Sequence, residues 1–187
     1  MHLDYVGLFY SHRYDPDTSL EETLQALVDI VRQGKALYVG ISRWPLEATR
    51  FAYQYLKERD VPLLIYQGRL NMLDREPQEE GILDFCVEAG IGFISFSPLA
   101  QGLLTDRYLK GIPEDSRMSK GKFLKQEMLT PELMAKLQAY NSEAERQGQT
   151  LAERALAWIL QQPGVTSVLV GASSTAQLEK NLKCVNA

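Results

Sequence analysis

The sequence predicts an α/β fold built on one parallel sheet. Three observations carry this: five short apolar runs, a helical pattern following each, and strand starts that recur at about the 30-residue length of a βα unit. Leu3 to Tyr10 (LDYVGLFY) is rich in β-forming residues and alternates only loosely, which predicts a strand buried on both faces. From Ser19 the apolar period changes, with Leu20, Leu24, Leu27 and Val31 on one helical stripe. Ser19 and Glu22 read as a capping box, and Gly34 as the stop.

The same unit then recurs. Ala36 to Ile41 is the second strand, and Pro45 opens a helix running to about Arg59, since proline is tolerated in a first turn. Leu63 to Tyr66 is the third strand. One helix is expected over Pro77 to Ala89, ended by Gly90, with Ile91 to Phe96 as the fourth strand. After Pro98 the rhythm breaks, and 110–128 reads as a long loop excursion. Thr130-Pro131 starts a helix reaching Gln147, and a second follows from Leu151 to Gln161. Val165 to Val170 is the fifth strand, and Gly171-Ala172-Ser173-Ser174 leads into the last helix.

At 187 residues and 45% hydrophobic content the chain can bury one sizeable core, so a single domain over 1–187 is expected. Twenty Lys and Arg against 24 Asp and Glu, with no dense basic stretch, argue against a nucleic-acid partner. No run approaches the ~18 apolar residues of a membrane span, and a cytoplasmic location is expected. Cys86 and Cys184 lack a C-x-x-C partner and read as inert packing residues. With only His2 and His12, no His-rich metal site is expected.

Strict βα alternation fits either an open doubly wound sheet or a segment of a barrel. His12, Ser42, Arg43, Gln67, Ser97 and Ser173 all fall just after predicted strands. In a barrel those positions share the C-terminal rim where ligands bind, whereas an open sheet gathers its ligands at one switch point, so the pattern leans toward the barrel. Singly, each residue has an ordinary use: His12 in a turn, Ser42 as a helix cap, Gln67 bonded to loop backbone, Ser97-Pro98 as a strand exit. The Gly171 to Ser174 turn has more content, because small residues admit a ligand to the backbone and a helix N-terminus offers free N–H groups to an anion.

The strings LFYSHRYD, GISRW, FSPLAQGLLTDRYL, IPEDSRM and VLVGASSTAQLEKN, in this order and spacing, resemble the aldo-keto reductase family. Within it they are most similar to the branch holding the voltage-gated potassium channel β subunit and related bacterial reductases. The resemblance runs from Leu3 to about Asn181. It implies a partial (β/α)8 TIM barrel, with five parallel βα units corresponding to the fourth to eighth of the family barrel. It also implies NADPH as cofactor and reduction of small aldehydes and ketones to alcohols.

Residue by residue, the resemblance makes His12 the histidine of a catalytic Asp, Tyr, Lys and His tetrad. Ser42, Arg43 and Gln67 become the neighbours of the nicotinamide carboxamide, and Phe96 the aromatic that stacks on its ring. Ser97, Leu99, Gln101 and Gly102 match the loop beneath the pyrophosphate, and Arg107 and Arg117 match cationic positions over the phosphates. Gly171, Ser173, Gln177 and Asn181 match contacts to the adenosine 2′-phosphate and adenine. Two positions depart from the pattern: Lys180 stands where glutamate is usual, and Asp106 where glycine is usual.

In the family the catalytic Asp, Tyr and Lys lie upstream of the strand that ends in the tetrad histidine, and here only 11 residues precede His12. Tyr5, Tyr10 and Tyr14 do not match the catalytic position. A truncated chain with impaired or no catalysis is therefore expected, against the alternative of a non-catalytic nucleotide-binding or partner-binding remnant similar to a channel β subunit. Five strands of a barrel leave two open sheet edges, which are expected to pair with another copy or a complementing chain.

Overall fold

The computed structural model describes residues 3–109, 111 and 126–186. Five strands form one open parallel sheet in the order of the chain: β1 (Val6–Ser11), β2 (Ala36–Ser42), β3 (Leu63–Arg69), β4 (Gly92–Phe96) and β5 (Val165–Val168). Among the described residues seven α-helices accompany them: α1 (Leu20–Arg32), α2 (Leu46–Lys57), α3 (Glu76–Glu79), α4 (Ile82–Ala89), α5 (Pro131–Arg146), α6 (Leu151–Leu160) and α7 (Thr175–Leu182). The chain divides into two compact units that interleave in sequence. The first takes Met1–Arg69, Glu76–Ser95 and Pro163–Ser167; the second takes Leu70–Arg75, Phe96–Gln162 and Val168–Ala187.

The first unit is organised by its strand register. Ser11 pairs with Ile41, and Ser42 with Gln67, so the C-terminal ends of the first three strands are level. Helix α1 buries Leu24, Leu27 and Val28, and α2 buries Ala52 and Leu56, which packs the helical stripes against β2 and β3. Two glycines make room for aromatic rings in this unit. A Cβ at Gly40 would sit 2.7 Å from the Tyr10 ring, and one at Gly68 would sit 2.6 Å from the Phe93 ring. Their bare Cα positions let these rings lie on neighbouring strands, and Phe93 stacks on Tyr66 with ring centres 5.8 Å apart.

Four expectations are corrected. The helix foreseen over Pro77 to Ala89 is two, α3 and α4, because Gly81 takes a left-handed conformation (φ 77°) that ends the first and caps the second. The fifth strand stops at Val168, two residues early. Ser19 caps α1 through Oγ accepting from the Glu22 amide, without the return bond; the complete box forms at Thr150 and Glu153 of α6. The strands are not buried on both faces either, since Phe9, Leu37, Tyr38 and Leu64 stay exposed. Leu37 and Tyr38 are neighbours in β2 and point to opposite faces, so the exposure is not confined to one side of the sheet.

The second unit is built on α5, α6 and α7. Leu104, Leu137, Leu151 and Ala155 are fully buried together, with Met72, Leu73, Leu99, Ala100 and Tyr140 packed around them. Thr130, Thr150 and Ser174 each cap a helix by accepting a backbone N–H three residues on. The 110–128 excursion falls mainly outside the described residues; its end, Gln126–Met128, is a 3-10 turn. Both cysteines are buried, and desolvation pushes the Cys86 thiol up to about 12, which suppresses the reactive thiolate.

The ring contact at Gly68 sets a measurable limit. Gly68→Ala forces its methyl into the Phe93 ring, and overpacking of this kind costs about 1–3 kcal/mol. Urea denaturation of the two proteins should show a lower midpoint for the variant with an unchanged slope.

Candidate functional site

In the first unit the predicted residues gather at the level strand ends. His12 follows β1 and is exposed, Ser42 closes β2 and is buried, and Gln67 lies opposite Ser42 in β3. Arg43 turns out of β2 in a left-handed conformation, φ 57°, that a non-glycine residue adopts only at a cost. Two hydrogen bonds from β3 hold that turn. The Arg43 amide donates to the Gln67 carbonyl at 3.2 Å, and the Tyr66 hydroxyl donates to the Trp44 carbonyl at 2.8 Å. Burial holds the Tyr66 phenol above its ordinary value, so it remains a donor across the working pH range.

In the second unit two segments far apart in sequence line one cavity of about 490 Å³. One is the loop after β4, with Ser97, Leu99, Gln101, Gly102 and Arg107; the other is the turn after β5, with Gly171, Ser173 and Gln177. Eight of the residues singled out from the sequence thus meet in one place. Asn181 is not in the cavity wall but lies four residues beyond Gln177 on the same face of α7, and Phe96 ends β4 half-buried. Arg117 lies outside the described residues.

The loop after β4 is strained. Ser97, Ala100 and Gln101 have φ of 52°, 46° and 60°, and Gly102 has 103°. Local bonds hold it: the Ser97 carbonyl accepts from the Ala100 amide at 3.0 Å and from Asn71 Nδ2 at 3.2 Å, and the Gly102 amide donates to the Leu99 carbonyl at 2.8 Å. Thr105 adds to this, its hydroxyl donating to the Gly102 carbonyl and accepting from the Arg107 amide. Asn71 and Thr105 were not singled out from the sequence. Their signal was local: an Asx turn at N-M-L-D, where Asn71 Oδ1 accepts from the Leu73 and Asp74 amides, and an ST turn at T-D-R.

The cavity suits an anionic, extended ligand. Among the described residues Arg107 is the one charged side chain in its wall, and α7 directs its N-terminus there. The Gln177 carboxamide oxygen accepts from both the Ser173 amide and hydroxyl, at 2.8 and 2.9 Å, filling the place an anion's oxygens would take. No atom lies within 4 Å of where a Cβ on Gly171 would be, so a ligand can approach the backbone there. Asn181 is buried, and its Nδ2 lacks an acceptor. The volume lies within the ~300–1,000 Å³ of small-molecule sites. A nucleotide bearing several phosphates fits these residues.

The profile of the aldo/keto reductase family matches residues 1–187. The chain belongs to the aldo/keto reductase family. Its relatives include the L-glyceraldehyde 3-phosphate reductase of Escherichia coli O157:H7, 48% identical over 190 residues that cover 100% of this chain and 55% of the relative. A probable voltage-gated potassium channel subunit beta of Arabidopsis thaliana is 36% identical, over 98% of this chain and 57% of the relative. Among solved structures, a thermostable aldo-keto reductase, Tm1743, in complex with the inhibitor epalrestat matches with a TM-score of 0.71 and 28% identity, over 98% of this chain and 56% of that one. The chain spans about half the length of the curated relatives it matches. Reductases of the family depend on NADPH and act on small carbonyl compounds. Among the described residues no helix is long and apolar enough to cross a membrane.

Two outcomes test how the site is held. Gln101→Gly relieves the left-handed strain, so it should raise stability by about 1 kcal/mol while weakening nucleotide binding, read by urea denaturation and calorimetry. Tyr66→Phe removes the bond to Trp44 and should cost about 0.5–1.5 kcal/mol at pH 7. Because the folded-state pKa of Tyr66 lies above the ordinary value of 10.0, its stabilising share is complete below pH 10 and is lost as pH rises beyond it. The wild type should therefore lose stability more steeply than the phenylalanine variant in alkaline titration.

Proposed function

We propose that this chain is the C-terminal, nucleotide-holding portion of an NADPH-dependent aldo-keto reductase barrel that reduces small aldehydes and ketones. The meeting of the two separate loops at the 490 Å³ cavity carries the reading. Ser97, Leu99, Gln101 and Gly102 bed the pyrophosphate with backbone N–H groups, and Arg107 holds the phosphates with charged hydrogen bonds, a role the family resemblance also assigns to Arg117. Gly171, Ser173 and Gln177 receive the 2′-phosphate at the start of α7, with the Gln177 carboxamide swinging away, and Asn181 donates to the adenine. The family resemblance assigns Ser42, Arg43 and Gln67 to the nicotinamide carboxamide and Phe96 to the nicotinamide ring.

The bound cofactor supplies hydride. His12, at the exposed end of β1, orients the substrate carbonyl by hydrogen bonding to its oxygen. Since these 187 residues contain no match for the family's catalytic Asp, Tyr and Lys, proton donation to the developing alkoxide has no agent in this chain alone. These residues by themselves are thus expected to bind NADPH without turnover unless further βα units complete the barrel at the open sheet edges. The 48% identity to an L-glyceraldehyde 3-phosphate reductase makes phosphorylated short-chain aldehydes the first substrates to assay in a completed barrel. The second reading, a non-catalytic nucleotide-binding subunit, rests on the 36% identity to a channel subunit beta.

Calorimetric titration separates these roles. NADPH should bind more tightly than NADH, and Arg107→Ala should weaken NADPH binding by about ten- to a hundredfold, the equivalent of ~1.5–3 kcal/mol for a charged hydrogen bond. Equal affinity for the two cofactors would remove the 2′-phosphate assignment to the Ser173 turn. Methylglyoxal reduction by the purified chain, if abolished by His12→Ala, would show that turnover does not need the unmatched tetrad members.

A further inference from the structure

The second unit holds another cavity, of about 280 Å³, between the turn at 70–75 and helices α5 and α6, lined by Met72, Arg75, Tyr140, Glu143, Arg154 and Trp158. None of these residues belongs to the nucleotide cavity. We propose that it binds a small aromatic monocarboxylate of about the size of benzoate, through a bidentate pair with Arg154.

The charge of the wall comes first. The one carboxylate of the wall is already engaged: Glu143 is ion-paired with Arg146 and accepts from Gln147 Nε2 at 2.6 Å, both on its own helix side. Arg154 has no carboxylate partner among the described residues, and its Nε is enclosed without an acceptor. An enclosed guanidinium N–H is a donor awaiting an acceptor, and its planar fork matches the two oxygens of a carboxylate.

The remaining walls select the body of the ligand. The Arg75 guanidinium lies 4.8 Å from the centre of the Trp158 ring, a cation–π contact that holds both planes in place. Tyr140 spends its hydroxyl on the Met72 carbonyl at 3.3 Å, so it presents its ring to the cavity rather than a donor. Flat aromatic walls and a thioether suit a flat apolar ligand. At about 30 Å³ per water-sized volume the cavity holds on the order of nine heavy atoms, which is the size of benzoate and far below that of a dinucleotide. Inorganic phosphate would meet the fork but leave the aromatic walls uncovered.

The test uses the two tryptophans, Trp44 and Trp158, whose indole N–H groups give two signals in a nitrogen-correlated NMR spectrum. Titrating benzoate should move the Trp158 signal saturably and leave Trp44 in place. Benzamide, which is isosteric but neutral, and inorganic phosphate should each bind at least about tenfold more weakly. Arg154→Met, which keeps the stem and removes the fork, should weaken benzoate by at least about tenfold without changing the melting temperature. Saturating NADPH should leave benzoate bound. An unmoved Trp158 signal, benzamide or phosphate binding as well as benzoate, no loss in the variant, or displacement by NADPH would each overturn the proposal. Should the variant fail to fold, the three-ligand comparison on the wild type decides alone.

Discussion

A parallel strand must turn back at its C-terminal end to begin its return helix, and in this chain two of those turns are made by non-glycine residues in the left-handed region. Arg43 leaves β2 at φ 57° and Ser97 leaves β4 at φ 52°. Each such residue costs about 1–2 kcal/mol, so each must be held. The Arg43 turn is pinned by the Gln67 carbonyl and the Tyr66 hydroxyl, and the Ser97 turn by Asn71 and the Ala100 amide. Strain and restraint coincide with the positions assigned to the cofactor, as expected where backbone geometry is set by a ligand rather than by stability.

Asn71 shows how much rests on one buried amide. It is 1% exposed, donates to the Ser97 carbonyl, and accepts from two amides of its own turn. The side chain thus ties the 70–75 turn to the loop after β4 inside the second unit. Leu99 and Ala100 of that loop also pack on the cluster around Leu104 and Leu137, which Met72 and Tyr140 share. Hydrogen bonds fix the loop's backbone while apolar packing anchors its side chains.

Much of this architecture was legible because its signals are local. The last four strand starts, the helix start at Thr130-Pro131 and the small-residue turn before α7 are written in short stretches of sequence, and the structure places them within about one residue of expectation, whereas the first strand begins at Val6, three residues later than expected. The split of α3 from α4 was not legible, because a glycine within a helical pattern reads equally as a tolerated residue until its φ is known. Nor was the exposure of Phe9 and Leu64, since apolar strands look the same whether or not something lies across the sheet. The cavity's residue list came from motif resemblance rather than from periodicity, and Thr105 and Asn71 escaped it because their work is to bond backbone, which leaves only a turn signature.

The interleaving of the two units carries a consequence for synthesis. The first unit needs Pro163–Ser167 to complete its sheet, and the second needs everything from Val168 onward. On a ribosome adding about 5–20 residues per second, the first three strands emerge and then wait on the order of ten seconds for the fifth. During that interval β4 has no neighbour on its far side, and its free backbone groups are open to any extended segment nearby. The sheet of the first unit therefore gains its fifth strand only after most of the second unit's sequence has been made, and until then the β4 edge stays open to wrong pairing.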